Sequence, residues 1–274
     1  AATDKEGSGF YEWNAHFRHW WRTFVNDDNW TLGSKQGEDD GGATLTGSKI
    51  LYDWNGRRPY HNLNHITRHD GFPKYDLMSF DMKQNKCGPL NPVCCEMPAS
   101  SWCDTDSGDN DNRSKDWGQD NEPQKRLLMR NLFTAMMISQ GTPMILGGDE
   151  WLRTQYGNNN AYSTGADNEW NWFRWGEWKA ADERNRMHDF VRQVIAFRKS
   201  HAYAFVTNEY DKGAPFAWKD RFNADKTEWN DRHVMMHYYD DTAGPELLVI
   251  INMERTTTEF TLPEGRTWVR VMDT

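Results

Sequence analysis

Two apolar runs in this chain end on glycine and acidic residues, and they carry the groups best suited to chemistry. The first, Asn64-His65-Ile66-Thr67-Arg68-His69-Asp70-Gly71-Phe72, closes on a His-Asp pair and a glycine. The second, Gly141-Thr142-Pro143-Met144-Ile145-Leu146-Gly147-Gly148-Asp149-Glu150, closes on two glycines and two carboxylates, with Arg153 shortly after. Each reads as a buried strand that delivers carboxylates to its C-terminal end, where α/β barrels hold their reacting groups. A third segment, Gly157-Asn158-Asn159-Asn160-Ala161-Tyr162, offers amides and a phenol that suit sugar hydroxyls. Asn-rich turns also occur without any such role.

Other chemistries fit these residues less well. His61, His65 and His69 recur every four positions, as a metal comb on a helix would. The breaks at Arg58-Pro59 and Asp70-Gly71 leave too little room for that helix. In a strand, His65 and His69 share a face about 13 Å apart, too far for one ion. A His-Asp pair also serves metal phosphohydrolases, but the remaining helices supply no convincing His and Asp partners. Taken alone, the His-Asp pair favours a reading of Asp70 as the cap of a turn. The residues call for no metal and no cofactor.

The elements that must position these groups follow from periodicity. Phe10, Trp13, Phe17, Trp20, Trp21 and Phe24 predict a short strand at 10–13 followed by an amphipathic helix. The stretch 27–47, rich in Gly and Asp, reads as loop, and 50–54 is too short to assign. Tyr75, Leu77, Met78 and Phe80 suggest a brief helix. A long loop at 84–122 contains Cys87, Cys94, Cys95 and Cys103, whose spacing fits no zinc finger, so disulfides and free thiols both stay open. Its acidic run 104–112 lacks the spacing and terminal Glu of an EF-hand and reads as a solvated loop. Pro123 opens a strongly apolar helix that leads into the second run, and 182–199 forms another helix. Strands are expected at 234–239, 246–251, 256–262 and 267–272, with a domain boundary near 202–210.

Composition narrows the class of partner. A net charge of −9 argues against nucleic acid and anionic membranes, and no apolar run approaches 18 residues. Fifteen Trp in 274 residues suit stacking on sugar faces, although packing also uses Trp. The polar opening Ala1-Ala2-Thr3-Asp4-Lys5 is no signal peptide, and the missing initiator Met points to a processed beginning. Compartment stays undecided, with the cytoplasm slightly favoured.

In order and spacing, the three segments resemble the glycogen-debranching and isoamylase branch of the α-amylase superfamily of glycoside hydrolases. The resemblance implies an α/β fold: residues 1–204 as the C-terminal part of a (β/α)8 TIM barrel, and 205–274 as an antiparallel β-sandwich domain. It makes Asp70 the transition-state-stabilising carboxylate and His69 a donor to the bound sugar. Asp149, Glu150 and Arg153 would form a charged rim, or a structural ion-pair cluster, and Asn159, Asn160 and Tyr162 would bind substrate. Arg68 departs from the smaller or uncharged residue expected beside the pair. The implied substrate is a branched α-glucan: glycogen, amylopectin or a limit dextrin. Nucleophile and general acid match nothing here, so the chain alone should be inactive and would need the preceding part of the barrel, covalently or as a second chain. An α-1,4-acting relative and a non-catalytic glucan-binding subunit remain as alternatives.

Overall fold

The computed structural model describes residues 10–86, 107–161, 167, 170–210, 216–239 and 244–274. Cys87, Cys94, Cys95, Cys103 and Tyr162 lie outside the described residues, as do residues 104–106 of the acidic run at 104–112. The chain divides into two compact units. One comprises Ala1–Asn64, Ala135–Pro143 and Val194–Thr274, and the other His65–Thr134 and Met144–Gln193.

The first unit opens with β1 (Glu12–Asn14) and α1 (Ala15–Asn26), as the aromatic spacing predicts. Asn14 stops the strand and starts the helix, because its side-chain oxygen accepts the Phe17 N–H at 2.8 Å. Phe17, Trp20, Trp21, Phe24 and Val25 then recur on one buried face. The stretch read as loop contains a five-residue helix, α2 (Gly41–Leu45), because Asp40 caps it by accepting the Ala43 N–H at 2.8 Å. The unassigned segment at 50–54 is helical from α3 (Lys49–Tyr52) onward.

β2 (Asn62–His65) pairs in parallel with β1, and the sheet order is β1-β2-β3, with β3 spanning Thr142–Met144. Both key strands are shorter than the sequence suggests, and each stops five residues before its first carboxylate, Asp70 or Asp149. The apolar residues beyond β2 still bury, with Ile66 wholly enclosed, but the backbone has left the ladder.

α4 (Glu122–Ile138) and α6 (Asp182–Ser200) match their expected spans closely, with the short α5 (Trp175–Ala180) before α6 and α7 (Ala202–Phe205) after it. α6 begins with Asp182 and Glu183 and ends with Arg198 and Lys199, the charge order a helix dipole favours. Arg198 also closes the end of α4. Its guanidinium donates to the carbonyls of Met137 (2.6 Å), Ser139 (2.7 Å) and Gly141 (2.6 Å), acceptors that a helix end would otherwise leave unsatisfied. No helix among the described residues is long and apolar enough to cross a membrane.

Toward the C-terminus, β4 (Phe216–Lys219), β5 (His233–Tyr238) and β6 (Leu247–Asn252) form an antiparallel sheet in that order. β4 was not expected, whereas the strands expected at 256–262 and 267–272 do not form. Alternation there is not matched by a ladder: Val269 and Val271 are 75% and 66% exposed, so no buried face fixes a register. Arg232 locks the sheet to α1. Its guanidinium donates to the carbonyls of Phe24 (2.5 Å), Asp27 (2.8 Å) and Met253 (3.1 Å) and lies 4.6 Å from the centre of the Phe24 ring.

Candidate functional site

Residues 67–74 form a turn that carries Asp70 and lies wholly within the second unit. Two interactions explain why the strand ends where it does. The Thr67 hydroxyl donates to one oxygen of Asp149, and the Lys74 N–H donates to the other at 2.9 Å, so one carboxylate grips both ends of the turn. At its apex, the Gly71 N–H donates to the Asn159 carbonyl at 2.9 Å. Gly71 sits at φ +88°, a conformation that disfavours side-chain-bearing residues. Backbone and hydroxyl groups that would continue a strand are thus taken by residues about eighty positions away.

Asp70 is left at the surface of this clamped turn, 36% exposed. The Arg68 guanidinium lies 2.5 Å from one of its oxygens and the His69 Nε2 lies 3.6 Å from the other. His69 is 60% exposed. The His-Asp pair therefore faces outward together, and the unexpected Arg68 forms an ion pair with the carboxylate.

Asp149 does the opposite. It is fully buried, and besides Thr67 and the Lys74 backbone it faces the Lys74 ammonium at 3.6 Å, which also sits 3.9 Å from the Phe133 ring centre. Of the two readings of the acidic end of the second run, this geometry favours the structural ion-pair cluster for Asp149. Glu150 is partly exposed and turns back to accept the Gly148 N–H at 2.9 Å. Gly148, at φ +102°, has no room for a Cβ, which would meet the Arg153 side chain at 2.6 Å. Arg153 is buried and donates to the Trp170 carbonyl at 3.0 Å. Burial lowers its pKa against the opposing pull of Asp149 and Asp76.

Asn159 is likewise a framework residue. Its side-chain oxygen accepts from the Asn85 amide at 2.9 Å, and its own amide donates to the Asp109 carbonyl at 2.6 Å and to the Asn112 side chain at 3.2 Å. Asn160 is partly exposed, with its N–H donating to the Asn158 side chain at 2.9 Å. The groups that remain partly open to solvent are accordingly Asp70, His69, Glu150 and Asn160.

Sequence reasoning missed Thr67, Lys74, Asp76 and Asn85. Lys74 and Asp76 stand among Phe72, Pro73, Tyr75 and Leu77, and charges inside so apolar a stretch are a usable signal of burial. Nothing local marks Asn85, whose partner Asn159 is 74 positions away. Asp76 accepts from the Thr154 hydroxyl (2.5 Å) and the N–H groups of Gln155 (2.9 Å) and Gly157 (3.2 Å), anchoring the segment that leads to Asn159. Burial nevertheless pushes its carboxyl up to about 6, outweighing those donors.

That shift predicts a pH dependence. The folded state holds the Asp76 proton more tightly than an unfolded chain with the ordinary value of 3.8, so the stabilisation is complete below that value and is lost as pH rises toward 6. Denaturant titrations of the wild type and Asp76→Asn between pH 4 and 7 should show the wild type losing stability relative to the variant, by up to about 3 kcal/mol.

With this geometry in hand, likeness to known proteins can be placed. No family model matches the chain. It is 35% identical over 205 residues to a glycogen operon protein GlgX homolog of Mycobacterium tuberculosis, covering 74% of this chain and 26% of that protein. It is 32% identical over 288 residues to an isoamylase of Flavobacterium sp., covering 97% of this chain and 34% of the relative. Among solved structures, a pullulanase from Bacillus acidopullulyticus superposes with a TM-score of 0.63 at 19% identity, over 94% of this chain and 26% of that one. A pullulanase from Anoxybacillus sp. LM18-11 complexed with maltotetraose gives 0.61 at 18%, over 93% and 31%. These structures speak for a shared α/β fold. The chain spans only about a quarter to a third of the relatives' length. On sequence, its relatives are glycogen operon GlgX homologs and isoamylases of the α-amylase superfamily, and it aligns with the C-terminal part of those proteins.

Proposed function

We propose that this chain is the C-terminal portion of a retaining glycoside hydrolase that cleaves α-1,6 branch linkages in glycogen, amylopectin or their limit dextrins. In this reading, residues 1–204 are the closing part of a (β/α)8 barrel and 205–274 belong to an antiparallel β-sandwich domain. Asp70 supplies the transition-state-stabilising carboxylate. His69 donates to the sugar beside it, and Glu150, Asn160 and Tyr162 contact substrate. The nucleophile and general acid come from polypeptide outside these 274 residues, and the chain by itself does not turn over.

The observation that carries this proposal is the contrast between an outward-facing Asp70 and the buried Asp149 and Asn159 that hold its turn. Glycoside cleavage passes through an oxocarbenium-like state, and a carboxylate held in place gains attraction as positive charge grows on the sugar. Little free energy is then spent on reorganisation at the moment of reaction. Branched limit dextrin and linear maltooligosaccharide, assayed side by side on the full polypeptide, test the linkage preference. Hydrolysis of the branched substrate is expected; cleavage of only the linear one contradicts the proposal.

A further inference from the structure

A cleft of about 160 Å³ is lined by Arg126 and Arg130 of α4 and by Glu183, Arg186 and Met187 of α6. Helical spacing explains the grouping. Arg126 and Arg130 are four residues apart, and Glu183, Arg186 and Met187 stand at i, i+3 and i+4, so each set shares one face of its helix. Phe190, one turn further along α6, has its ring centre 5.9 Å from the Arg130 guanidinium and links the two faces.

Charge sets this cleft apart. Three arginines face one glutamate, a local surplus of +2 on a chain whose net charge is −9. Glu122 approaches Arg126 at 3.3 Å from outside the lining, but it also holds the Lys125 ammonium at 3.4 Å, so the surplus stands. Like charges four apart on a helix repel, and Arg186 adds a third, an arrangement that costs stability unless an anion offsets it.

The size and lining narrow the choice of anion. The volume falls below the range of about 300–1,000 Å³ for whole drug-sized ligands, which suits one charged group rather than a sugar chain. Guanidinium forks match the paired oxygens of a phosphate, and a phosphomonoester carries about −1.5 to −2 at neutral pH, close to the surplus. Met187 is buried and Arg126 has 22% of its side chain exposed, whereas Arg186 is exposed, so an apolar base lies under a cationic rim. The helix starts add little attraction of their own, because Glu122, Asp182 and Glu183 already occupy them.

We propose that this cleft binds a phosphate group carried on a small molecule, with Arg126, Arg130 and Arg186 on its oxygens and Met187 beneath the adjoining carbon atoms. It shares no residue with the turn that carries Asp70.

Calorimetric titration of the full polypeptide with inorganic phosphate and with glucose 6-phosphate, at constant ionic strength, tests it. Both are expected to bind. Arg186→Gln lowers the affinity about tenfold, and Glu183→Gln, which removes the one opposing carboxylate of the lining, raises it a few-fold. Both positions are exposed, so each variant keeps the fold, and the two shifts in opposite directions separate a site from a general loss of structure. Tighter binding of glucose 6-phosphate assigns the ligand to phosphate esters, and equal affinity assigns the same site to the free ion. Binding of neither phosphate, the result if a carboxylate from polypeptide outside these 274 residues fills the cleft, overturns the proposal. Affinity that neither substitution changes overturns it equally.

Discussion

Asp149→Ala is expected to destabilise the protein by about 3–5 kcal/mol, the usual cost of removing one partner of a buried ion pair. The variant removes the carboxylate that faces the Lys74 ammonium, whose side chain is 1% exposed and lies against the Phe133 ring. It also leaves the Lys74 N–H and the Thr67 hydroxyl without their acceptor. Chemical denaturation measures the loss. Adding Lys74→Met removes the buried charge while keeping the apolar contact with Phe133, so the double variant should recover part of it. A cost below about 1 kcal/mol for Asp149→Ala, typical of exposed pairs, would contradict a clamping role.

This expectation separates two aspartates that look alike as sequence. Asp70 follows His69 and precedes a glycine; Asp149 follows a glycine and precedes Glu150. Both end apolar runs, and both invite a catalytic reading. What divides them is long-range: Thr67 and Lys74 close on Asp149 across 82 and 75 positions, and no feature of either segment announces that pairing. The same reasoning moves Asn159 from a substrate contact to a support, because Asn85, Asp109 and Asn112 take up its side chain.

Other parts of the fold were legible because their causes are local. α1 follows from the Asn14 cap and the three-to-four spacing of its aromatics, and α4 and α6 from long apolar periodicity with helix-compatible ends. Strands were less legible, since each depends on a partner ladder. β5 and β6 are apolar enough to be seen alone, but β4, four residues with no fully buried position, is a strand because β5 pairs with it. Residues 267–272 show the converse, alternating side chains that join no ladder among the described residues.

The second large effect concerns turnover rather than stability. Asp70 is partly exposed and held at the apex of a turn whose anchors lie elsewhere, so Asp70→Asn preserves shape and removes charge. Stability should change little, as expected for a surface substitution. A carboxylate that acts only as positive charge develops contributes to the transition state and hardly to ground-state binding.

The most direct measurement is therefore the turnover number of Asp70→Asn in the full polypeptide on branched limit dextrin, with affinity for the same dextrin determined in parallel. The account predicts turnover lower by about 10²–10³-fold or more while affinity is largely retained. Turnover close to that of the wild type would remove Asp70 from the mechanism.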